Sequence, residues 1–289
     1  MFINLKGYLH DLDEPVVMGI VNLTPDSFYA GSRIQSLKDI DGRVSEILEE
    51  GGKIVDVGGY SSRPDAIDIS VEEEKQRLKP ALEHLKTNYP DVIVSVDTFR
   101  ADIARWAVEE YGVEMINDVS GGGMDERMFE TVATLQVPYI LTHLRGTGKE
   151  GEHTGSFLRV MHCKTDYEDM MEEIMLYFAA KLQKLQLLGV NDIILDPGFG
   201  FSKTTDQNYE LMRSLPQFSL FERPLMVGVS RKSMITNFLN CSIEDSLNGT
   251  TVLHTFALMH GANILRVHDV KQAVEAIQII SHLKSYVNN

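Results

Sequence analysis

Eight short runs rich in β-branched residues, each followed by a segment of helical periodicity, constrain this chain more than any other feature. The runs are Val16–Val21, Ile54–Val57, Val92–Val96, Glu114–Ile116, Tyr139–Thr142, Asp192–Leu195, Leu225–Val229 and Ile264–Val267. The helical segments between and after them are Leu37–Glu50, Val71–Leu85, Asp102–Tyr111, Glu126–Leu135, Tyr167–Leu188, Asn208–Leu215, Ser246–Met259 and Val270–Tyr286. Ser70 and Glu73 have the spacing of a capping box, and Gly51, Gly112, Gly189 and Gly261 stand where helices should stop. Pro80 should kink the second helix or split it. Continuously apolar strands alternating with helices imply a parallel sheet covered on its faces, and eight such units are the number that closes a (β/α)8 TIM barrel, an α/β fold. The alternative is an open doubly wound sheet, but no Gly-x-Gly-x-x-Gly follows the first strand. No linker divides the chain, so residues 1–289 read as a single barrel domain, with 1–15 a short N-terminal extension and Arg145–Gly155 a long glycine-rich loop.

Charge then limits what the domain can bind. With 43% hydrophobic and 24% charged residues the chain reads as globular, and its formal net charge of −15 opposes general attraction to nucleic acid or to an anionic membrane surface. An anionic small molecule remains possible where basic residues cluster. The two cysteines, Cys163 and Cys241, have no metal-site spacing. The first residues lack the pattern of a secretory signal, and no apolar run approaches the roughly 20 residues of a membrane span. The expectation is a cytoplasmic protein.

Each strand is followed by polar residues: Asn22; Gly58–Pro64; Asp97 and Thr98; Asn117 and Asp118; His143; Asp196–Phe201; Ser230–Ser233; and Arg266 with His268. In a barrel the carboxyl ends of all strands converge on one mouth, so residues from 22 to 268 become neighbours. Taken singly they have plainer readings. Asp97 could cap a helix, Asn117 and Asp118 could be turn residues, and His143 could be a core histidine. Eight together on one side point to a pocket.

Arg266 and His268 lie two apart on one strand and face the same way, Lys232 and Ser233 follow the seventh strand at a helix start, and Arg63 adds another cation. With Asn22 as a neutral oxygen ligand, this set suits phosphate or pyrophosphate with Mg2+. The competing reading makes Arg266 and Lys232 ion-pair partners of Asp196 and Asp97. Asp97, Asn117 and Asp196 offer acceptors to a planar, donor-rich heterocycle, because one carboxylate can take two parallel hydrogen bonds from an amino group and the adjacent ring N–H.

The segments "NLTPDSF", "VDVGGYSSRP", "VSVDTFRADIARWAV", "INDVSGG", "DPGFGF", "GVSRKSMI" and "ILRVHDV" occur in order from about Val16 onward. Together they resemble the dihydropteroate synthase family of folate biosynthesis. The resemblance implies a transferase that is usually a homodimer. It would join 6-hydroxymethyl-7,8-dihydropterin pyrophosphate to p-aminobenzoate, the step that sulfonamides block, by a dissociative mechanism that releases pyrophosphate. It also assigns roles. Asn22 would contact Mg2+; Ser62, Arg63, Arg266 and His268 would hold the pyrophosphate; Asp97, Asn117, Asp196 and Lys232 would bind the pterin. Phe28, Pro64, Phe201 and Ser233 would surround p-aminobenzoate. Asn22, Arg63, Lys232, Arg266 and His268 are the expected catalytic residues. Departures from the family pattern include Tyr29-Ala30, Tyr60 in place of a frequent glutamate, Ser62 in place of threonine, Thr142 and Leu144 beside His143, and a longer segment at Gly148–Lys164. Two other classes share parts of this pattern: a pterin-binding methyltransferase partner of a corrinoid protein, which needs no pyrophosphate anchors, and a non-catalytic paralogue, which would be expected to lose them.

Overall fold

Strand β3 (Val16–Asn22) pairs in parallel with β4 (Ile54–Gly58) on one side and with β10 (Ile264–Val267) on the other, so the first and last repeats of the chain are neighbours in space. The computed structural model describes residues 1–5, 7–23, 36–61, 68–145 and 165–286. From β4 the sheet continues through β5 (Ile93–Asp97), β6 (Met115–Asp118) and β7 (Tyr139–Thr142) to β8 (Ile193–Asp196). From β10 it continues to β9 (Met226–Val227). A parallel bridge from Leu195 to Leu225, with the Leu195 N–H donating to the Pro224 carbonyl at 2.8 Å, joins β8 to the β9 edge and closes the ring. The eight parallel strands therefore form a TIM barrel.

The helices are α1 (Leu37–Glu49), α2 (Val71–Asn88), α3 (Ala101–Tyr111), α4 (Met128–Leu135), α5 (Met170–Leu187), α6 (Thr205–Arg213), α7 (Ser233–Leu239), α8 (Leu247–Met259) and α9 (Val270–Ser285). Their buried stripes meet the outward-facing strand residues in the main apolar core, for example Val44 and Ile47 of α1 beside Val17 and Val21 of β3. Gly19 sits in this layer because a Cβ there would lie 2.6 Å from the Ile47 side chain. Ser70 caps α2 by accepting from the Glu73 N–H, and the helix runs unbroken through Pro80. The expected split does not occur. Pro80 is exposed, so the carbonyl it leaves without an intrahelical donor faces water. Helix α6 starts earlier than periodicity suggests, because Thr204 and Gln207 form a reciprocal capping box. Helix α7 escapes a periodicity reading because only seven residues form it.

Residues 1–15 are more than an extension. Strands β1 (Phe2–Leu5) and β2 (Tyr8–Asp11) form an antiparallel hairpin whose Ile3 and Leu5 join Leu12 in a second core with Met18, Ile54, Met115, Ile140, Ile194, Met226 and Ile264. These last seven point inward, one from each of seven strands, so the hairpin plugs the amino-terminal end of the barrel. Two residues further along those seven strands the inward positions become Ile20, Asp56, Asn117, Thr142, Asp196, Gly228 and Arg266, and β5 adds Ser95. Because side chains alternate along a strand, a single step up the barrel turns an apolar floor into a polar layer.

Candidate active site

A cavity of about 250 Å3 opens above that polar layer, at the carboxyl ends of the strands. Asn22, Asp97, Asn117, Asp196, Phe201, Lys232, Ser233, Arg266 and His268 all line it. These are all the expected site residues that fall within the described parts of the chain. Phe28, Ser62, Arg63 and Pro64 lie outside the described residues, as do Tyr29 and Ala30. So does the long loop beyond Arg145, as far as Lys164.

Arg266 is the centre of the charge arrangement. Its Nε donates to Asp56 Oδ2 at 2.7 Å and its Nη2 to Asp97 Oδ2 at 2.6 Å. Asp56 Oδ2 also accepts from Asn117 Nδ2 at 3.0 Å. Arg266 is thus ion-paired, but with Asp97 and Asp56 rather than with Asp196, and a leaving-group anchor would have to serve from within that arrangement. Burial works against the Arg266 charge, but Asp56 and Asp97 outweigh it and hold the guanidinium above its usual pKa. Burial, with help from Asp56 and Asp118 and against the pull of Arg266, raises Asp97 to about 7. Asp97 caps no helix: α3 begins after Arg100, which makes no side-chain cap.

Asp196 faces Lys232 across the cavity. Its Oδ1 accepts from the Gly198 N–H at 2.8 Å, and burial raises its pKa while Lys232 and that N–H oppose the rise. Lys232 Nζ donates to the Phe199 carbonyl at 2.5 Å and lies 4.5 Å from the centre of the Phe201 ring. Burial, reinforced by Arg266 and opposed by Asp196, brings Lys232 down to about 8. His268 is not a cation in this setting, since burial and then Arg266 and Arg43 press its ring down to about 3. Its backbone is fixed from both sides: its N–H donates to Ser230 Oγ at 3.2 Å, and its carbonyl accepts from Arg43 at 2.6 Å.

Two strand-end residues do take the plain roles. Asp118 is a turn residue, accepting from the N–H and hydroxyl of Ser120, from the Gly122 N–H and from Tyr139 Oη. His143 is a core histidine. Its Nδ1 accepts from Lys203, and burial followed by the Lys203 charge keeps the ring neutral.

Sequence reasoning missed several participants. Asp56 orients both Arg266 and Asn117, and the signal for it was available: a lone carboxylate inside an otherwise apolar strand, Ile54–Gly58. Arg231 lines the pocket and forms a two-pronged pair with Asp269 at 2.8 and 2.9 Å. Tyr60, Phe99 and Thr142 also line the cavity, with Tyr60 and Phe99 in edge contact at 5.0 Å and Tyr60 Oη donating to Asp68. The sequence marked Tyr60 and Thr142 only as departures from the family pattern and Arg231 only as part of the polar run Ser230–Ser233, and nothing local marks Phe99.

Among the described residues no group of three or more His, Cys, Asp or Glu side chains could hold a resident metal ion. The half-buried Asn22 amide in the pocket wall offers one hard oxygen. That suits a Mg2+ that arrives on a phosphorylated ligand, because such an ion keeps most of its waters and takes one or two protein oxygens. No helix among the described residues is long and apolar enough to cross a membrane.

Comparison with known proteins converges on one group. The family model described as pterin binding enzyme matches residues 18–268. Dihydropteroate synthase of Escherichia coli (strain K12) is 37% identical over 98% of this chain and 97% of that protein. Yersinia pestis dihydropteroate synthase, solved in a sulfonamide drug complex, superposes with a TM-score of 0.87 at 35% identity, covering 99% of this chain and 100% of the other. Xanthomonas albilineans dihydropteroate synthase with 4-aminobenzoic acid gives a TM-score of 0.83 at 32% identity, with 98% of each chain covered.

Proposed function

The chain belongs to the pterin binding enzyme family and, within it, to the dihydropteroate synthases, and from that premise we propose how its residues divide the reaction between them. The activity is the condensation of 6-hydroxymethyl-7,8-dihydropterin pyrophosphate with p-aminobenzoate in folate biosynthesis, giving 7,8-dihydropteroate and pyrophosphate. The observation that carries the division of roles is the layer of Asp97, Asn117, Asp196, Lys232 and Arg266 around a single cavity.

The flat pterin lies on the polar layer. Asp196 accepts from its amino group and neighbouring ring N–H, and Asn117 and Asp97 take its remaining polar edge. Arg266, held at Nε by Asp56, keeps its charge whatever Asp97 does, and with His268, Ser62 and Arg63 it receives the pyrophosphate. His268, kept neutral by burial first and then by Arg266 and Arg43, meets the pyrophosphate as a ring N–H donor. Asn22 would hold a Mg2+ that arrives with the pyrophosphate, and such an ion would supply charge neutralisation to the leaving group.

As the C–O bond breaks, its electron pair leaves with the pyrophosphate, and preorganised positive groups stabilise that charge. The methylene cation left behind is conjugated with the dihydropterin ring, so no protein nucleophile is required. The p-aminobenzoate nitrogen supplies its lone pair to form the C–N bond and then loses a proton. Phe28, Pro64 and Phe201 wall the aryl ring, and Ser233 takes its carboxylate. The corrinoid-linked alternative has no use for an anchored leaving group.

The partner is a second copy of the chain. Val252 and Met259 of α8 and Ile279 and Leu283 of α9 are more than half exposed on two helices that lie together, joined by Lys284 Nζ donating to the Leu258 carbonyl. Sedimentation at two concentrations would reveal a monomer if these faces have another purpose. The catalytic reading is tested by following dihydropteroate formation from the two purified substrates with and without Mg2+. Product only with the metal is expected, and no product under any condition would refute the reading.

A further inference from the structure

Lys203 lies behind the cavity rather than in its lining, and it is buried. Its Nζ has three hydrogen-bond partners, the number of protons on an ammonium: His143 Nδ1 at 3.0 Å, the Gly198 carbonyl at 2.9 Å and the Phe201 carbonyl at 3.0 Å. Those two carbonyls bracket the turn after β8. Gly198 holds a φ of 72°, and a Cβ there would come within 2.1 Å of the His143 carbonyl oxygen, so the turn is pressed against the end of β7. From the other side Asn208 of α6 accepts the Gly200 N–H at 2.7 Å. The turn in turn carries the two groups that locate Lys232, the Phe199 carbonyl and the Phe201 ring, and the N–H that Asp196 accepts.

We propose that Lys203 is a positioning residue for the pterin site: its ammonium clamps the Gly198–Phe201 turn, through which Lys232 and Asp196 are aimed, and stands as a fixed positive charge behind the Asp196 carboxylate. The inference rests on the pterin reading of this cavity. A solely structural lysine would need acceptors but no carboxylate to answer to, whereas Asp196 and Lys203 each respond to the other's charge. The charged groups facing Asp196 are Lys232, Arg266 and Lys203; those facing Lys203 are Asp196 and Lys232, with the neutral His143 as acceptor. Burial and the Lys232 charge draw Lys203 down to about 7, with Asp196 opposing. With an acceptor for every proton, the ammonium is the form this pocket is shaped to hold.

Lys203→Met tests the proposal because it keeps the chain length and removes the charge and all three donors. Calorimetric titration with 6-hydroxymethylpterin, which lacks pyrophosphate, should show about a tenfold loss of affinity at neutral pH. The acid limb of that affinity should move to higher pH, because Asp196 loses a charge that favours its ionised form. Steady-state kinetics should raise KM for the pterin substrate and leave KM for p-aminobenzoate unchanged. If Lys203→Met does not fold, His143→Phe keeps the lysine and removes one of its three acceptors, and a smaller loss of pterin affinity in the same direction is expected. Parent-like affinity with an unmoved acid limb in Lys203→Met, or parent-like affinity in His143→Phe where only that variant folds, overturns the proposal. A parent chain that binds no pterin overturns the functional reading and this inference with it.

Discussion

Replacing Arg266 with methionine isolates the charge at the centre of the site. The side chain donates to two acids, Asp56, whose side chain is fully buried, and Asp97, whose side chain is 26% exposed. Removing one partner of such a buried arrangement typically costs about 3–5 kcal/mol, because the acids left behind have been taken out of water. The loss should also depend on pH with a defined sign. Asp97 has a folded pKa of about 7 against an ordinary 3.8, so between those values the native state holds a proton that the unfolded chain releases. Its contribution to stability is therefore fully present below 3.8 and is lost as pH rises through about 7. Without Arg266 the folded value climbs further, and the loss continues to higher pH. The gap between parent and variant should then widen by about 1.4 kcal/mol for each pH unit above neutrality, until Asp97 ionises in the variant as well. Urea unfolding of both proteins at about pH 6 and about pH 8.5 measures this directly. A gap under about 1 kcal/mol, or one that is equal at the two values, would refute the pairing as the source of stability. In titrations, Arg266→Met should lose more affinity for the pyrophosphate-bearing pterin than for the bare pterin. Equal losses would mean that Arg266 serves only to organise Asp97 and Asp56.

Asp196→Asn should weaken pterin binding by about 1–3 kcal/mol, roughly 5- to 150-fold in Kd, because an amide presents a donor to a ligand edge that is itself a donor; unchanged binding of a pterin analogue would reduce Asp196 to the turn residue that its bond to the Gly198 N–H also allows. Labelled p-aminobenzoate should bind measurably only when Mg2+ and pyrophosphate are present, with a coupling of about 1–3 kcal/mol that Arg63→Ala largely removes. The same affinity with and without pyrophosphate would show that the aryl site is preformed.

The barrel was legible in the sequence because its determinant is local and repeated. Each strand is apolar on both faces and each helix has one apolar stripe, so the alternation from Val16 to Ser285 leaves few ways to bury all of it. Polar residues at strand ends were legible for the same reason, since the topology alone brings Asn22, Asp97, Asn117, Asp196 and Arg266 to one mouth. Helix α7 lay beyond that reading, because an element of seven residues is too short for periodicity to reveal, and strand β9 keeps only two residues of the run Leu225–Val229. The hairpin at the amino terminus was equally hidden, since Ile3 and Leu5 take their places only once the barrel exists to receive them.

What the sequence could not decide was partnership. Arg266 and Asp56 are separated by 210 positions, and Lys203 and His143 by 60. Whether an arginine waits for a phosphate or grips a carboxylate, and whether a histidine is charged or neutral, depends on distances of a few ångströms inside a low-dielectric interior. No spacing along the chain encodes those distances. The sequence by itself determined which chemical groups are carried to the mouth of the barrel; the packed tertiary structure decided which of them hold each other there, because Coulomb and desolvation energies depend on separation in space and on burial.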